Sequence, residues 1–237
     1  MQRIVIEFFL RPLSRLISRL YFRFEVFGLE NVPATGSVIL APNHVSYADP
    51  IWAAVAVERR VNFMTWERVF RIPVAGWLLR FLGAFPVKLD RFDRGALDSA
   101  RTVLESGKVL MMFPEGRRTV DGFLQPFKPG VSRLALTTGT KIVPITINGG
   151  YEAWPPHRLL PRSRKVTITY HPPITVKAMD PKTPPYEVRD ASRGLSLKLY
   201  SEVASSLDSR YLHANPVMLS SESENDLQVS SLESSSL

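Results

Sequence analysis

The sequence predicts a single α/β domain with a mixed, largely parallel central sheet flanked by helices. Short apolar runs typical of buried strands alternate with amphipathic runs of helical length, which is the pattern of α/β proteins. A chain of 237 residues is also long enough for one sizeable hydrophobic core. The domain is predicted to span residues 25–212.

The elements of this domain can be followed along the chain. Strand patterns occur in "FEVF", "GSVIL", "VNFMTW", "AFPVKL", "KVLMMF", "KIVPITI" and "KVTITY". Helical patterns occur in "DPIWAAVAVERR", "PVAGWLLRFL", "DRGALDSARTVLES" and "KPGVSRLALTT". In the first helix, Asp49 suits the N-cap and Pro50 the first turn. Gly107 and Gly139 follow the last two and suit left-handed helix ends.

Residues 1–24 are predicted to form an amphipathic helical segment. Arginines recur every four residues, so a helix aligns them along one stripe: Arg11, Arg15, Arg19 and Arg23. One interpretation is a surface helix with its apolar side on the core. The other is a helix in a bilayer interface, where each basic residue near anionic lipid adds about 1 kcal/mol of binding free energy. No apolar run reaches the roughly 20 residues of a membrane span.

Charge is distributed unevenly along the chain. Residues 1–210 hold all 30 basic and 18 of the 22 acidic side chains, a net charge of +12. This favours an anionic partner: a phosphorylated metabolite, acidic lipid or nucleic acid. No recognised nucleic-acid motif is present, so we expect no nucleic-acid partner. Residues 213–237 are rich in serine and acidic residues and are predicted to be a disordered tail.

Cysteine is absent from the chain. The sequence therefore excludes disulfides, cysteine nucleophiles and thiolate metal sites. We predict neither a metal site nor a bound cofactor.

The stretch "NHVSYADP" (43–50) contains the first candidate catalytic residues. Histidine titrates near neutrality, and an aspartate bonded to its other ring nitrogen fixes the tautomer. On a regular helix His44 and Asp49 would point about 140° apart, so they meet only if the chain turns between them. The alternative is an N-cap aspartate beside an ordinary loop histidine. Ser46 lacks a nucleophile elbow and is interpreted as a turn or capping hydroxyl.

The stretch "FPEGRRT" (113–119) follows an apolar strand, where open α/β sheets commonly build sites. Gly116 permits close backbone approach to a ligand. Arg118 offers a planar fork for phosphate, while Glu115 could bind a hydroxyl or orient that arginine. The alternative is a solvated loop with a surface ion pair.

Together these stretches resemble the glycerophospholipid acyltransferases, most closely the 1-acyl-sn-glycerol-3-phosphate (lysophosphatidic acid) acyltransferases. "NHVSYADP" matches their N-H-x-S-x-x-D motif, and "FPEGRRT" resembles F-P-E-G-T-R-S. "RIPVAGWLLRFLGAFPV" is similar to their P-x-x-G-W…G segment, and "FKPGVSRLALTTGTKIVPITI" to their K-x-G…A…VPV region. The similarity covers roughly residues 24–175, in the order that the family uses.

The resemblance implies acyl transfer to lysophosphatidate from a thioester, either acyl-CoA or acyl-carrier protein. His44 would be the general base and Asp49 its orienting partner. Acceptor-binding residues would be Glu115, Gly116, Arg118 and one or both of Lys88 and Arg91. Pro144 would belong to the final motif, which in the family helps to shape the site.

Two departures from the family pattern bear on the acceptor. Arg117 stands where the family commonly has threonine, and Leu89 stands where its second motif has arginine. Lys88 and Arg91 are nearby substitutes for that arginine.

Because of these departures, another lysophospholipid or an acylated amino lipid is the alternative acceptor. A basic membrane-surface protein without catalysis is the alternative of another class. In either case we expect a membrane-associated protein, peripheral or monotopic, on the cytoplasmic face, with residues 1–24 as the contact with the membrane surface.

Overall fold

Seven strands form one sheet in the computed structural model, which describes residue 9 and residues 11–87 and 94–212. The strands are β1 Glu25–Phe27, β2 Val38–Pro42, β3 Val61–Trp66, β4 Ala84–Val87, β5 Val109–Met111, β6 Lys141–Asn148 and β7 Thr167–Tyr170. Their order across the sheet is β1-β7-β6-β2-β5-β3-β4.

Five neighbouring strands, β6, β2, β5, β3 and β4, run parallel to one another. Strand β7 is antiparallel to β6, and β1 is parallel to β7. The sheet is therefore mixed and largely parallel, which confirms the predicted fold class. The carboxyl ends of the five parallel strands share one side of the sheet, which we call the carboxyl edge.

Helices cover both faces of the sheet. They are α1 Arg11–Tyr21, α2 Asp49–Val55, α3 Pro73–Leu82, α4 Arg94–Glu105, α5 Gly130–Thr138, α6 Gly150–Ala153 and α7 Pro185–Ser205. Short 3-10 turns occupy Leu29–Asn31, Glu67–Arg71 and Ser209–Tyr211.

The central strands are buried on both sides, as the continuous apolar runs predicted. In β2, Leu40 packs in the cluster that contains Trp52 of α2. Its neighbour Ile39 packs in the other cluster with Leu134 of α5 and Leu199 of α7. Successive side chains of a strand point to opposite faces, so β2 joins two cores.

Helix α1 turns part of its arginine stripe towards the protein. The Arg11 guanidinium donates a hydrogen bond to the carbonyl of Glu58 at 2.8 Å. Arg15 donates to the carbonyls of Val55 and Ala56 at 2.8 and 3.1 Å. These carbonyls lie at the end of α2, where helical partners are lacking and cations are favoured.

The apolar side of α1 faces outward instead. Its large apolar side chains are exposed: Leu13, Leu16, Ile17 and Leu20. The interpretation of a surface helix with its apolar side on the core is therefore wrong. No helix within the described ranges is long and apolar enough to cross a membrane.

The predicted boundary at residue 24 does not mark a structural break. Phe22 is buried in the core, and its ring packs edge-on against Trp52 with centroids 5.0 Å apart. The N–H of Val166 also donates to the Phe22 carbonyl. Residues 11–24 thus belong to the same folded unit as the domain.

Several predictions fall outside the described residues. These concern Lys88, Leu89, Arg91, the beginning of the amphipathic segment at 1–8 and 10, and the tail at 213–237.

Candidate active site

The two motif stretches meet at the carboxyl edge. His44 follows the end of β2, and Glu115 to Arg118 follow the end of β5. Strands β2 and β5 are parallel neighbours, with Leu40 paired to Met111. The topology therefore brings together residues that are about 70 positions apart in sequence.

The Asp49 carboxylate is fully buried and turns back over the loop that precedes it. Its Oδ2 accepts hydrogen bonds from the backbone N–H groups of Val45 and Ser46 at 2.6 and 2.7 Å. The same oxygen lies 2.9 Å from His44 Nδ1. Ala48, not Asp49, occupies the N-cap position of α2, so the N-cap prediction for Asp49 is wrong.

The contact between His44 Nδ1 and Asp49 Oδ2 determines which ring nitrogen can accept a proton. A proton on Nδ1 is donated to the Asp49 carboxylate, which leaves Nε2 as the atom that can accept another proton. Burial lowers the pKa of His44, hydrogen bonding and charge from Asp49 raise it, and the charge of Arg118 lowers it further. The net shift is downward, so the ring is neutral near neutral pH, as a general base must be.

The His44 loop is held by buried polar side chains. The Ser46 hydroxyl accepts from the Ala48 N–H at 3.2 Å, which confirms its interpretation as a turn residue. Asn43 donates to the Ile147 carbonyl and accepts from the Ile147 N–H, at 3.1 and 2.7 Å. This pair ties the end of β2 to β6.

Glu115 joins the two motif loops. It is only 2% exposed, and its two oxygens accept from the N–H groups of His44 and Gln125 at 2.5 and 3.0 Å. Burial raises its pKa to about 8, although the two N–H donors oppose that shift. The Thr119 N–H also donates to the His44 carbonyl at 2.9 Å. In this geometry Glu115 fixes the His44 backbone; contact with an acceptor stays a prediction.

Arg118 is positioned by an aromatic ring and not by Glu115. Its guanidinium carbon lies 3.8 Å from the centroid of Tyr47, a cation–π geometry. The Tyr47 hydroxyl donates to the Pro156 carbonyl at 3.1 Å, which fixes the ring. Tyr47 lies in the loop between His44 and Asp49, so its contact with Arg118 brings the guanidinium to the same loop as the imidazole.

Gly116 is exposed and has a left-handed backbone, with φ of +75°. A Cβ at this position would lie 3.1 Å from Cδ of Lys128 and 3.5 Å from its Nζ. The glycine therefore leaves room for the Lys128 side chain to lie across the loop at Gly116. The neighbouring Arg117 is exposed.

Pro144 lies inside β6, where it pairs with Ala41 of β2. Its carbonyl accepts from the N–H of His171. It is thus part of the buried sheet beneath the His44 loop.

Three residues near the site were not predicted from the sequence. Tyr47 supports Arg118, Lys128 adds a cation, and Phe113 stacks on the His44 ring with centroids 3.8 Å apart and an angle of 19°. Two signals were available: both aromatics lie within the quoted motifs, and Lys128 begins the "KPG" of the fourth one, "FKPGVSRLALTTGTKIVPITI". The partner of each aromatic could not be read from the sequence.

Several known proteins are similar to this chain in sequence or in fold. A chloroplastic 1-acyl-sn-glycerol-3-phosphate acyltransferase of Brassica napus is 34% identical over 134 residues, covering 54% of this chain and 38% of that protein. A 1-acyl-sn-glycerol-3-phosphate acyltransferase of Chlamydomonas reinhardtii is 31% identical over 179 residues, covering 73% and 52%. The chain thus spans about half or less of these curated relatives.

The crystal structure of the 1-acyl-sn-glycerophosphate acyltransferase PlsC from Thermotoga maritima superposes with a TM-score of 0.61 and 27% identity. The match covers 80% of this chain and 77% of that one. The model of the Acyltransferase family matches residues 23–148, which is more than half of the chain and includes both motif loops. The protein therefore belongs to the Acyltransferase family.

Proposed function

We propose that the protein transfers a fatty acyl group from a thioester to the free hydroxyl of 1-acyl-glycerol-3-phosphate, giving phosphatidate for phospholipid biosynthesis. The observation that carries this proposal is the buried Asp49–His44 pair, with the Arg118 guanidinium on the Tyr47 ring of the same loop. Relatives that bear the name of this activity support the choice of acceptor.

His44 Nε2 takes the proton of the acceptor hydroxyl as its oxygen attacks the thioester carbonyl. The new C–O bond forms, the tetrahedral intermediate collapses, and the C–S bond breaks to release the thiol, which receives the proton. Asp49 stabilises the imidazolium that exists in between. General-base assistance of this kind is worth about 10²–10⁴ in rate. Direct attack needs no acyl-enzyme, which agrees with a chain without cysteine.

Cations beside the imidazole bind the acceptor phosphate in this proposal. Arg118 supplies a planar fork, and Lys128 lies across Gly116 in the same loop region. Lys88 and Arg91 remain candidates for the same phosphate. A charged hydrogen bond of this type contributes about 1.5–3 kcal/mol.

The donor and the location belong to the same proposal. Acyl-CoA and acyl-carrier protein are both candidate donors, since either presents a thioester. The outward apolar side of α1 supports peripheral attachment to a membrane. We assign that attachment to the cytoplasmic face.

A panel of donors and acceptors tests the activity, with release of free thiol as the readout. The protein contributes no thiol background, because it has no cysteine. We expect turnover with lysophosphatidate that falls by at least about 100-fold in His44→Ala. Circular dichroism and vesicle sedimentation should be unchanged in that variant.

Other outcomes select the alternatives. Faster turnover with another lysophospholipid or an acylated amino lipid would replace the acceptor but keep the chemistry. Vesicle binding without acyl transfer to any acceptor would favour a non-catalytic membrane-surface protein. Full activity in His44→Ala would remove this residue from the mechanism.

A further inference from the structure

Three large apolar side chains are exposed where β3 leads into α3. Ile72, Val74 and Trp77 are 56, 77 and 64% exposed, respectively. We call these three residues the α3 apolar patch. Apolar side chains that cluster on a surface, unlike single ones, commonly mark an interaction site.

The packing of α3 against the 3-10 turn before it keeps the α3 apolar patch exposed to solvent. Residues Glu67–Arg71 form a 3-10 turn that packs against α3, and Phe70 of this turn is buried. A Cβ at Gly76 would lie 2.3 Å from the Phe70 carbonyl oxygen, so only glycine permits this close packing. Gly76 therefore turns towards the protein, while its neighbour Trp77 lies on the exposed side.

Arginines flank the patch on both sides in sequence. Arg71 is exposed and forms a loose ion pair with Glu67 at 3.6 Å. The guanidinium of Arg68 lies 4.8 Å from the centroid of Trp66, and that of Arg80 lies 5.3 Å from the centroid of Phe70. An apolar tip with tryptophan and flanking arginines is the composition of a membrane-interface element.

The patch lies on the same side of the sheet as the candidate active site. Strand β3 is parallel to β5, and β5 is parallel to β2. The chain therefore leaves β3 for Ile72 at the carboxyl edge, as it leaves β2 for His44. A lipid surface in contact with the patch would face the edge that holds the imidazole.

We propose that the α3 apolar patch inserts into the interface of an anionic phospholipid bilayer, as a second membrane contact separate from α1. Ile72 and Val74 enter the acyl region, Trp77 lies at the headgroup boundary, and the flanking arginines meet lipid phosphates. A second copy of this chain fits less well, because it would bring two sets of arginines together. The proposal concerns membrane contact alone and holds whether or not lysophosphatidate is the acceptor.

Tryptophan quenching tests the insertion directly. The chain has four tryptophans, so wild type, Trp77→Phe and Trp154→Phe are compared on phosphatidylcholine–phosphatidylglycerol vesicles with brominated or ordinary acyl chains. We expect brominated lipid to quench the wild type and Trp154→Phe. Trp77→Phe should lose most of that quenching. Equal quenching in all three proteins, or none in the wild type, would overturn the proposal.

Vesicle sedimentation with charge substitutions provides a second test that leaves α1 intact. Val74→Glu should lower the bound fraction severalfold. Leu197→Glu, which alters a 66% exposed side chain on α7, should leave it unchanged. Thermal unfolding confirms that both variants are folded. Equal binding of the two variants, or loss of acyl-carrier-protein binding in Val74→Glu with vesicle binding intact, would contradict the bilayer contact.

Discussion

At the scale of single residues, the site depends on how polar side chains share their partners. The buried Asp49 oxygen that faces His44 also accepts two backbone N–H groups, so the carboxylate is fixed before the ring contacts it. Glu115 does the same for the His44 backbone. The imidazole thus has a set position and a set tautomer, which are the conditions for efficient proton transfer.

The charge of Arg118 gives a testable pH dependence. If His44 is the general base, as proposed, activity requires the neutral ring and should be lost as the pH falls through its pKa, which burial lowers from the ordinary value for histidine. Arg118 disfavours the imidazolium, so Arg118→Gln raises this pKa. The acid limb of kcat/KM should therefore move to higher pH, and the acceptor KM should rise.

The profiles of wild type and variant, measured with one acceptor, check this shift. Titration of the acceptor phosphate is common to both profiles and cancels from the difference. A limb that stays in place or moves to lower pH would show that the two groups do not interact.

Tyr47 should act as a positioning residue for Arg118. A cation–π contact at an exposed site is worth about 0.5–1 kcal/mol, so Tyr47→Leu should raise the acceptor KM about two- to fivefold with little change in kcat. Tyr47→Phe keeps the ring and should keep the wild-type KM. Steady-state kinetics over a range of acceptor concentrations measure both parameters. An equal defect in Phe and Leu variants would mean that the hydroxyl, and not the ring, is what matters.

At the scale of elements, α1 and α7 show where the sequence pattern of a helix does not predict which of its side chains are buried. The sequence predicts the amphipathic pattern of α1, but Arg11 and Arg15 bond to the protein while the leucines are largely exposed. Helix α7, with 21 residues, was not among the predicted helices. Its buried side includes Ser192 and Ser196, and Ser196 bonds Ser132 of α5 at 2.7 Å, so its apolar periodicity is weak.

The attachment of α1 can be measured through Arg15. Arg15→Met keeps the apolar stem but removes two hydrogen bonds to the carbonyls of Val55 and Ala56. We expect the free energy of unfolding to fall by about 1–2 kcal/mol. Urea denaturation measures it, with Arg19→Met on the same helix as the matched control. Equal stabilities of the two variants would mean that these bonds contribute nothing to the docking of α1.

At the scale of the whole molecule, one carboxyl group links the candidate site to stability. The pKa of Glu115 rises from 4.5 to about 8, so the folded protein keeps a proton that the unfolded chain releases. Stability from this group is full below pH 4.5 and is lost as the pH rises towards 8. The histidines with lowered pKa act in the opposite direction but only below about pH 6.5.

Chemical denaturation between pH 6.5 and 8 isolates the Glu115 contribution. The free energy of unfolding should fall across this interval in the wild type. In Glu115→Gln it should fall less steeply, whatever the absolute stability of the variant. Parallel pH dependences of the two proteins would show that Glu115 does not carry the proton.

The proposed membrane contacts also depend on the whole molecule. The outward apolar side of α1 and the α3 apolar patch belong to one folded unit, since Phe22 joins α1 to the core. Removing residues 1–24 would therefore remove a core side chain as well as a proposed membrane contact. Substitutions confined to exposed positions separate binding from folding.

The sequence by itself determined the α/β class, the strands and most of the helices, because periodicity and chain length report which side of an element is buried. Residue type, together with the resemblance to a known family, also selected His44, Asp49 and the Glu115–Arg118 loop as the candidate site. Only the tertiary structure decided where polar atoms find partners: Asp49 turned back over its loop, Glu115 enclosed between two backbone N–H groups, and Arg118 on Tyr47. The Glu115 bond to the His44 N–H and the contact of Arg118 with Tyr47 join loops about 70 positions apart in the chain. Local pattern carries no information about which distant group will be the neighbour.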